Sequence, residues 1–299
     1  MLADAQEDRS QIVEARVSSP APSYAFWYVF ATDGETGFLL DLMRRPDEAL
    51  ARLVTYQQGV PPRITRHGFE VSDLDGVPGA LGVSLDGIAF DALGCRAALP
   101  GMNVEARFAL NGQAMRFVPG FVTWWFDNIP DFSSRYGAIT QATCEDAVYT
   151  DTPLVCSTYS LESLAAARWI LISAPRFCGS DLAFEISAAR LLGRWMPAAW
   201  VFYGGREYHL NSALDSLFRL HVGCAGEVKS GERVFTATIR ARGLRVDVEA
   251  SGPLDQFARL DADRNSEIHT TLFGTCRATV ASAGRTFVAE RSCLLEVKN

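Results

Sequence analysis

The chain has 299 residues, of which 48% are hydrophobic and 21% are charged, so it can bury a sizeable core and is not disordered as a whole. Its formal net charge of −7 at pH 7 excludes the concentration of Lys and Arg on which nucleic-acid binding depends. No apolar run approaches the ~20 residues of a membrane-spanning helix, so we expect no membrane span.

The cysteine pattern and the first residues indicate the cellular compartment of the protein. The seven cysteines are odd in number and form no C-x-x-C pair, which favours reduced thiols in the cytoplasm over a disulfide framework. Residues 1–22 are polar and acidic, unlike a secretory signal or a transit peptide. We therefore expect a cytoplasmic protein with a polar lead-in at 1–22.

The first half of the chain is predicted to be mainly β-strand. Apolar runs at Tyr24–Ala31 and Phe38–Met43 flank the turn sequence DGETG, which predicts a hairpin. The next segment, PDEALARLVTYQQG, has Pro46 near its start and precedes a Pro pair, and this pattern predicts a short helix. Strand-like runs then lead to the aromatic stretch FVPGFVTWWFDNIPDF, whose Pro and Gly residues indicate a bent strand and a loop.

The β pattern restarts at Arg168 and continues to Val297. Roughly eight strand candidates follow Arg168, about the number in a small closed barrel that holds one ligand. The Gly pair at 204–205 predicts a two-residue hairpin, and SLFRLHVGC predicts a strand with Phe218, Leu220 and Val222 on one face. We therefore predict an all-β fold with two antiparallel β domains, a β-sandwich or barrel at 23–160 and a barrel at 161–299.

Motif searches identify no cofactor or metal site. The chain has no G-x-G-x-x-G opening a helix, no G-x-x-x-x-G-K-[ST], no G-x-S-x-G and no H-E-x-x-H. Its four histidines are scattered and have no metal-ligand spacing. We therefore expect no bound cofactor and no metal.

Aromatic side chains in the strands are the candidate lining of an apolar pocket. Successive strand residues point to opposite faces, so adjacent aromatic residues place one ring inside and one outside a barrel. Ordinary core packing is the alternative role for each of them. The candidate substrate-binding residues are Trp27, Trp124, Trp125, Phe126, Trp200 and Phe218.

Polar residues within the strand patterns are the candidate hydrogen-bond donors and acids. Glu267 and His269 share one face of a strand, and a Glu–His pair inside a barrel could handle protons. A surface or structurally hydrogen-bonded role is the alternative for each histidine. The candidate catalytic residues are Tyr28, Tyr203, His221, Glu267 and His269.

Several segments carry a family resemblance. In the second half these are STYSLESLAAARWILISAPRF, AAWVFYGGREYHL, FTATIRARGLRVDVEASGPL, EIHTTLFGTCRATV and FVAERSCLLEV, and the first half offers YAFWYVFATDGETGFLLDLM. They resemble segments of tocopherol cyclase and of its lipocalin-like relatives, the carotenoid 1,2-hydratases and the lipocalin-like Diels–Alderases. Tocopherol cyclase carries a polar, Trp-containing segment before its second domain, where this chain has SLESLAAA.

The resemblance implies a fold and a class of chemistry. It implies two lipocalin-like β domains, with a ligand cavity in or between them, and cofactor-free isomerising chemistry on an apolar polyene-like or prenylated molecule. The positions that match are Trp27, Tyr28, Arg168 and Trp169, while Trp200, Tyr203 and His269 lie in matched segments without an implied role.

The leading functional hypothesis is a cyclase of secondary metabolism that folds a linear polyene or polyketide-type substrate for an intramolecular [4+2] cycloaddition. Holding the reacting atoms in position contributes up to roughly 7–11 kcal/mol in ideal intramolecular cases, and a donor to a carbonyl lowers the barrier further. The first alternative is an acid-promoted cyclase or hydratase of a prenylated substrate, in which Glu207 or Glu267 protonates an alkene. A non-catalytic carrier of apolar ligands and an interaction module with a filled core are the remaining alternatives.

Overall fold

The computed structural model describes residues 24–45, 47–76, 82–116, 131–150, 152–161, 168–174, 182–191, 194–211, 213–263 and 266–298. Within these ranges the chain is almost entirely β-strand, with one short helix, α1 (Ala213–Phe218), and two 3-10 turns. The all-β prediction is therefore confirmed. None of the helical segments in these ranges has the length and apolar character needed to cross a membrane.

The first sheet contains twelve antiparallel strands. They are β1 (Tyr24–Thr32), β2 (Thr36–Arg44), β3 (Ala49–Gln57), β4 (Val60–Phe69), β5 (Asp75–Gly76), β6 (Val83–Leu85), β7 (Ile88–Phe90), β8 (Gly94–Leu99), β9 (Met102–Arg116), β10 (Asp131–Cys144), β11 (Ala147–Tyr149) and β12 (Thr152–Leu161). Their order is β4-β3-β2-β1-β12-β10-β9-β8-β7-β6-β5, and β11 pairs with β10.

The second sheet contains ten antiparallel strands, two more than the roughly eight that the sequence predicted for a small barrel. They are β13 (Arg168–Ala174), β14 (Ala183–Leu191), β15 (Arg194–Tyr203), β16 (Arg206–Leu210), β17 (Leu220–Lys229), β18 (Glu232–Ala241), β19 (Leu244–Pro253), β20 (Ala258–Asp263), β21 (Ser266–Ser282) and β22 (Arg285–Lys298). Their order is β16-β15-β14-β13-β22-β21-β19-β18-β17, and β20 pairs with β21.

Both sheets follow the same strand plan. In each, the first strand in sequence pairs with the last, β1 with β12 and β13 with β22, and hairpins extend the sheet on either side. The inward-facing side chains of each sheet form one apolar core that draws on strands from across that sheet, which shows that each sheet is rolled around its own core. The two halves of the chain thus share a topology, although their sequences show no residue-level repeat.

The two rolled sheets pack against each other through their outer faces. The outer faces of β1–β4 contact those of β13 and β20–β22 through one apolar group, here called the interface cluster. Its buried members are Phe26, Tyr28, Phe30, Leu39, Met43, Val54, Tyr56, Leu171, Ala258, Leu260, Ile268, Leu272, Phe273 and Leu294. A Cβ atom on Gly37 would lie 2.7 Å from Leu272 Cδ1, so the sheets approach too closely there for a side chain. Strands at this interface are therefore buried on both faces, which explains apolar runs such as FLLDLM.

The two turn predictions in the hairpins are confirmed. Asp33 Oδ1 accepts hydrogen bonds from the backbone nitrogens of Glu35 and Thr36 at 2.8 and 2.7 Å, which fixes the turn between β1 and β2. Gly204 and Gly205 have φ angles of 58° and 74° between β15 and β16. Positive φ at both central residues is the requirement of the hairpin turn predicted from the Gly pair.

The predicted helix after Pro46 is wrong, because this segment forms strand β3. Ala49, Ala51 and Leu53 face the first core, whereas Val54 and Tyr56 face the interface cluster. A strand buried on both faces has no polar face, so its sequence lacks the alternation that separates a strand from a short helix.

The strand predicted to carry Phe218 begins later than expected. Residues up to Phe218 form α1, and β17 begins at Leu220. The edge strands β16 and β17 do not pair with each other in the described ranges, and α1 contacts both β15 and β17 along this open seam. The short helix α1 thus lies where β15 and β17 approach each other.

We predict that the second core depends strongly on Phe235, which is fully buried at its centre. Phe235→Ala should lower the free energy of unfolding by about 3–5 kcal/mol, because it removes a ring and leaves a cavity. Urea denaturation measures this change. Val288→Ala, at a side chain that is 48% exposed, is the matched control and should change stability by no more than about 0.5 kcal/mol.

Candidate functional site

Charged side chains lie buried on the outer faces of the two sheets, and most of them are on strands that carry the interface cluster. We call this group the interface polar cluster, and each of its charged members is at most 9% exposed. Burial of so many charges is unusual, because charged side chains are rarely buried unless they are paired or functional. Its members are Asp41, Arg52, Trp169, Glu185, Glu296 and Lys298.

Arg52 links the two sheets. Its Nε lies 2.8 and 3.1 Å from the two carboxylate oxygens of Asp41, the residue directly opposite on β2. Its Nη1 donates a hydrogen bond of 2.7 Å to the backbone carbonyl of Asp261 on β20. Burial raises the pKa of Asp41, and the positive charge of Arg52 opposes that rise. The guanidinium therefore neutralises a buried carboxylate and also fixes the position of the second sheet.

Glu296 is the acid of this cluster with a pKa in the physiological range. It lies on the outer face of β22, opposite Leu171 on β13 and Thr270 on β21. Burial raises the pKa of Glu296 to about 7. The hydrogen bond from Trp169 opposes this rise. The negative charge of Asp41 adds to the rise, and the positive charge of Arg52 opposes it. A carboxyl group with this pKa is substantially protonated at neutral pH and can act as a general acid.

Trp169 and Lys298 orient the Glu296 carboxyl group. Trp169 Nε1 donates a hydrogen bond of 2.8 Å to Glu296 Oε1. Lys298 Nζ lies 4.7 Å from the centroid of the Trp169 ring, a cation–π distance. Glu296 Oε2 accepts no hydrogen bond from the described residues. One oxygen is thus held, and the other is available to carry a proton.

A second buried acid lies on the same outer face. Glu185 on β14 is fully buried between Ser173 on β13 and Trp200 on β15, the residues directly opposite it. The Ser173 hydroxyl is buried and has no hydrogen-bond partner in the described part of the chain. The outer face of the second sheet therefore carries two carboxyl groups and a hydroxyl close to aromatic rings.

Of the residues proposed from the sequence, Tyr28 and Trp200 lie on the outer faces where the charges are buried. Tyr28 belongs to the interface cluster, and Trp200 is opposite Glu185 on the neighbouring strand. Trp27 points the other way, into the first core, where it is 1% exposed. The alternation between Trp27 and Tyr28 follows the expectation for adjacent strand residues.

The other proposed residues are dispersed. Tyr203 is half-buried at the second core and stacks on Phe287 with ring centroids 5.9 Å apart. His221 is exposed, and Phe218 is 72% exposed at the end of α1. Glu207 is exposed beside His209, with Oε2 and Nε2 3.3 Å apart. Trp124, Trp125 and Phe126 lie outside the described residues.

Glu267 and His269 form a pair at one end of the second barrel. His269 Nε2 lies 3.4 Å from Glu267 Oε2, and His269 is buried while Glu267 is exposed. His269 faces inward, opposite Val297 of the second core. This pair is on the barrel side of β21, whereas Glu296 is on the interface side of β22. The two sites are therefore on opposite faces of one strand pair.

Sequence reasoning did not identify Glu185, Glu296 or Lys298. The sequence feature that marks Glu185 and Glu296 is a single charged residue between apolar neighbours, as in AFEIS and LLEVK. In a strand with one solvent-exposed face, such a charged side chain points to water, so this pattern alone does not show that the residue is buried. It becomes informative only for strands that are apolar on both faces, as Asp41 in LLDLM and Arg52 in LARLV also show.

Glu296 lines neither of two cavities that described residues surround. One, of about 350 Å³, opens at an end of the first barrel beside Gly37, Tyr56 and Tyr149. The other, of about 760 Å³, lies at the tips of two hairpins between Arg206 and Arg242. No group of three or more His, Cys, Asp or Glu residues in the described ranges could hold a metal ion.

Comparisons with known proteins identify similar folds. No protein-family model and no curated protein sequence matches the chain. A crystal structure of a candidate AttH from Nitrosomonas europaea superposes with a TM-score of 0.54 at 13% identity, covering 92% of each chain. Kievitone hydratase from Nectria haematococca superposes with a TM-score of 0.54 at 10% identity, covering 93% of this chain and 90% of the hydratase. At these identities the comparisons show a shared fold.

We predict that Glu296 makes stability depend on pH. Its pKa is about 7 in the folded protein, above the ordinary value of 4.5 for a glutamate, so its protonated form is favoured by folding. The stabilisation is fully present below about pH 4.5 and is lost as the pH rises through about 7. Between these values the free energy of unfolding of the native protein should fall by about 3 kcal/mol relative to Glu296→Gln.

Urea denaturation of both proteins at pH 5 and pH 8 measures this difference. Glu249→Gln, at an exposed carboxylate of β19, is the matched control. Parallel stability curves for the native protein and Glu296→Gln would contradict a raised pKa at Glu296.

Proposed function

We propose that this protein is an acid-promoted hydratase or cyclase that acts on an apolar, isoprenoid-type alkene, with Glu296 as the proton donor. The supporting observation is a carboxyl group that is 9% exposed, surrounded by apolar side chains, and raised by burial to a pKa of about 7. Protonation of an alkene needs an acid that remains protonated at neutral pH in a site with little water.

The first step transfers the proton of Glu296 Oε2 to the less substituted carbon of the double bond. The π electron pair forms the new C–H bond, the more substituted carbon becomes a cation, and Glu296 becomes a carboxylate. Trp169 continues to donate to Oε1, and it stabilises the negative charge that develops there. The Trp169 hydrogen bond is therefore stronger after proton transfer than before it.

Aromatic faces at the interface suit the cation. Phe26, Tyr28 and Phe30 belong to the interface cluster, and Trp169 packs against the same cluster. Ring faces attract a cation by roughly 0.5–2 kcal/mol each, more when water is excluded. An apolar, aromatic surface thus binds the alkene and also stabilises the intermediate formed from it.

The second step adds an oxygen nucleophile to the cation. Attack by water gives hydration, and attack by a hydroxyl group of the substrate gives ring closure. In both cases the oxygen loses its proton to the carboxylate of Glu296, which restores the acid, so the reaction needs no oxidant, reductant or cofactor. The fold shared with kievitone hydratase supports this class, because hydration is one of the two outcomes.

Intramolecular [4+2] cycloaddition, the leading hypothesis from the sequence, is the second candidate. The observation that favours it is the position of the Tyr28 hydroxyl, which is buried within the interface cluster and could donate to a substrate carbonyl. Cycloaddition moves no proton from the protein to carbon, and this separates it from the acid mechanism.

We predict that Glu296→Gln lowers kcat by about 10²–10⁴-fold, because an amide cannot protonate an alkene. Turnover should be measured on a prenylated phenol and on a linear polyene, in H₂O and in D₂O. The acid mechanism places one deuterium on carbon in the product, whereas cycloaddition places none. The native rate should also fall as the pH rises above about 7, since Glu296 then ionises.

Glu267→Gln and Glu207→Gln are the matched controls, because both carboxylates are exposed and lie away from the interface polar cluster. Both should retain native turnover. Native activity in Glu296→Gln, or a product without deuterium, would contradict the acid mechanism.

A further inference from the structure

One end of the second barrel contains a buried guanidinium that has no acid partner. Along β18, Arg233 precedes Phe235, Ala237 and Ile239 in the row of residues that face the second core. Arg233 is 8% exposed, in a position where the strand pattern calls for an apolar side chain. Because Arg233 is the first residue of this inward-facing row, its charge lies at one end of the barrel, here called the barrel mouth.

The hydrogen bonds of Arg233 do not neutralise its charge. Nη1 donates to the carbonyl of Gly226 at 3.1 Å, and Nε is buried without an acceptor. No carboxylate of the described residues forms an ion pair with this guanidinium. Its central carbon lies 5.6 Å from the centroid of the Phe257 ring, which holds it without compensating the charge. A buried, unpaired charge costs several kcal/mol.

Two further nitrogen-bearing side chains face the same mouth. Arg259 on β20 is directly opposite His269 on β21. Burial lowers the pKa of His269, the charge of Arg233 lowers it further, the charge of Glu267 opposes both, and the charge of Arg259 again lowers it. These contributions favour the neutral imidazole of His269, and the charges of two guanidinium groups act on it. Among the described residues, Glu267 supplies the negative charge that acts on His269 against them.

We propose that this end of the second barrel is an oxyanion-binding site that takes the carboxylate or phosphate group of a small molecule between Arg233, Arg259 and His269. Planar guanidinium groups match the geometry of carboxylate and phosphate oxygens and bind them by paired hydrogen bonds. A bound oxyanion would accept the unused Nε–H of Arg233 and neutralise its charge. The site is separate from Glu296, which faces the interface on the opposite side of β22.

The test uses the full-length protein, with inorganic phosphate and acetate as probes and sodium chloride of equal ionic strength as the reference. NMR follows the imidazole signals of the four histidines. Either probe should raise the pKa of His269, because a bound anion stabilises the imidazolium form, and should raise the thermal unfolding midpoint with concentration. The signals of His67, His209 and His221 should not respond to either probe. A response to phosphate alone assigns the site to phosphate groups, and a response to both assigns it to oxyanions in general.

Variants locate the binding groups. Arg233→Met should bind phosphate about 10- to 100-fold more weakly. Arg259→Gln, at an exposed side chain, should also weaken binding and keeps the proposal testable if Arg233→Met does not fold. Arg242→Met, at an exposed arginine of the β18–β19 turn, should bind phosphate like the native protein. Equal responses to phosphate, acetate and chloride, or native phosphate binding in Arg259→Gln, would overturn the proposal.

Discussion

The burial of charge between two apolar sheet faces is the constraint on which the rest of this structure depends. Packing the outer faces of β1–β4 on those of β13 and β20–β22 removes water from Asp41, Arg52 and Glu296 together. Desolvation of this kind is tolerated only where partners compensate for it. Arg52 compensates by binding Asp41 and the carbonyl of Asp261 at once.

The same apolar surroundings affect Asp41 and Glu296 differently. Asp41 has a guanidinium against both of its oxygens, so an opposite charge opposes the rise in pKa that burial causes. Glu296 has an indole N–H on one oxygen and other carboxylates as neighbours, so the loss of water favours its protonated form. Two acids in one interface are thereby driven to different roles, one structural and one suited to proton transfer.

The strands and turns could be predicted from the sequence because they depend on local patterns. Alternation of apolar residues located most strands, and Asp33 and the Gly pair at 204–205 located two hairpins. The segment that forms β3 could not be assigned locally, because a second sheet covers its other face. The candidate acid was missed for the same reason. Nothing within LLEVK distinguishes a glutamate that faces water from one that faces another sheet.

This arrangement also changes where a ligand is to be expected. A rolled sheet suggests a barrel with a ligand inside, and the sequence predicted that aromatic residues would line this pocket. In the described ranges the inward-facing residues of both sheets form continuous apolar cores, with Trp27 as part of the first. The two sites that we propose are instead on the outer faces and at one barrel mouth, where the two sheets would serve as their scaffold.

The alternation along β22 has a consequence for how the chain reaches its native fold. Leu295 and Val297 face the second core, whereas Glu296 and Lys298 face the interface. A slip of one residue against β13 or β21 would insert a carboxylate and an ammonium group into the barrel core and turn two aliphatic side chains outward. Such a misaligned strand would be penalised by several kcal/mol for each buried charge. The charges of Glu296 and Lys298 therefore also favour the native strand alignment. Replacing both residues with apolar ones would lower the free-energy cost of the misaligned strand.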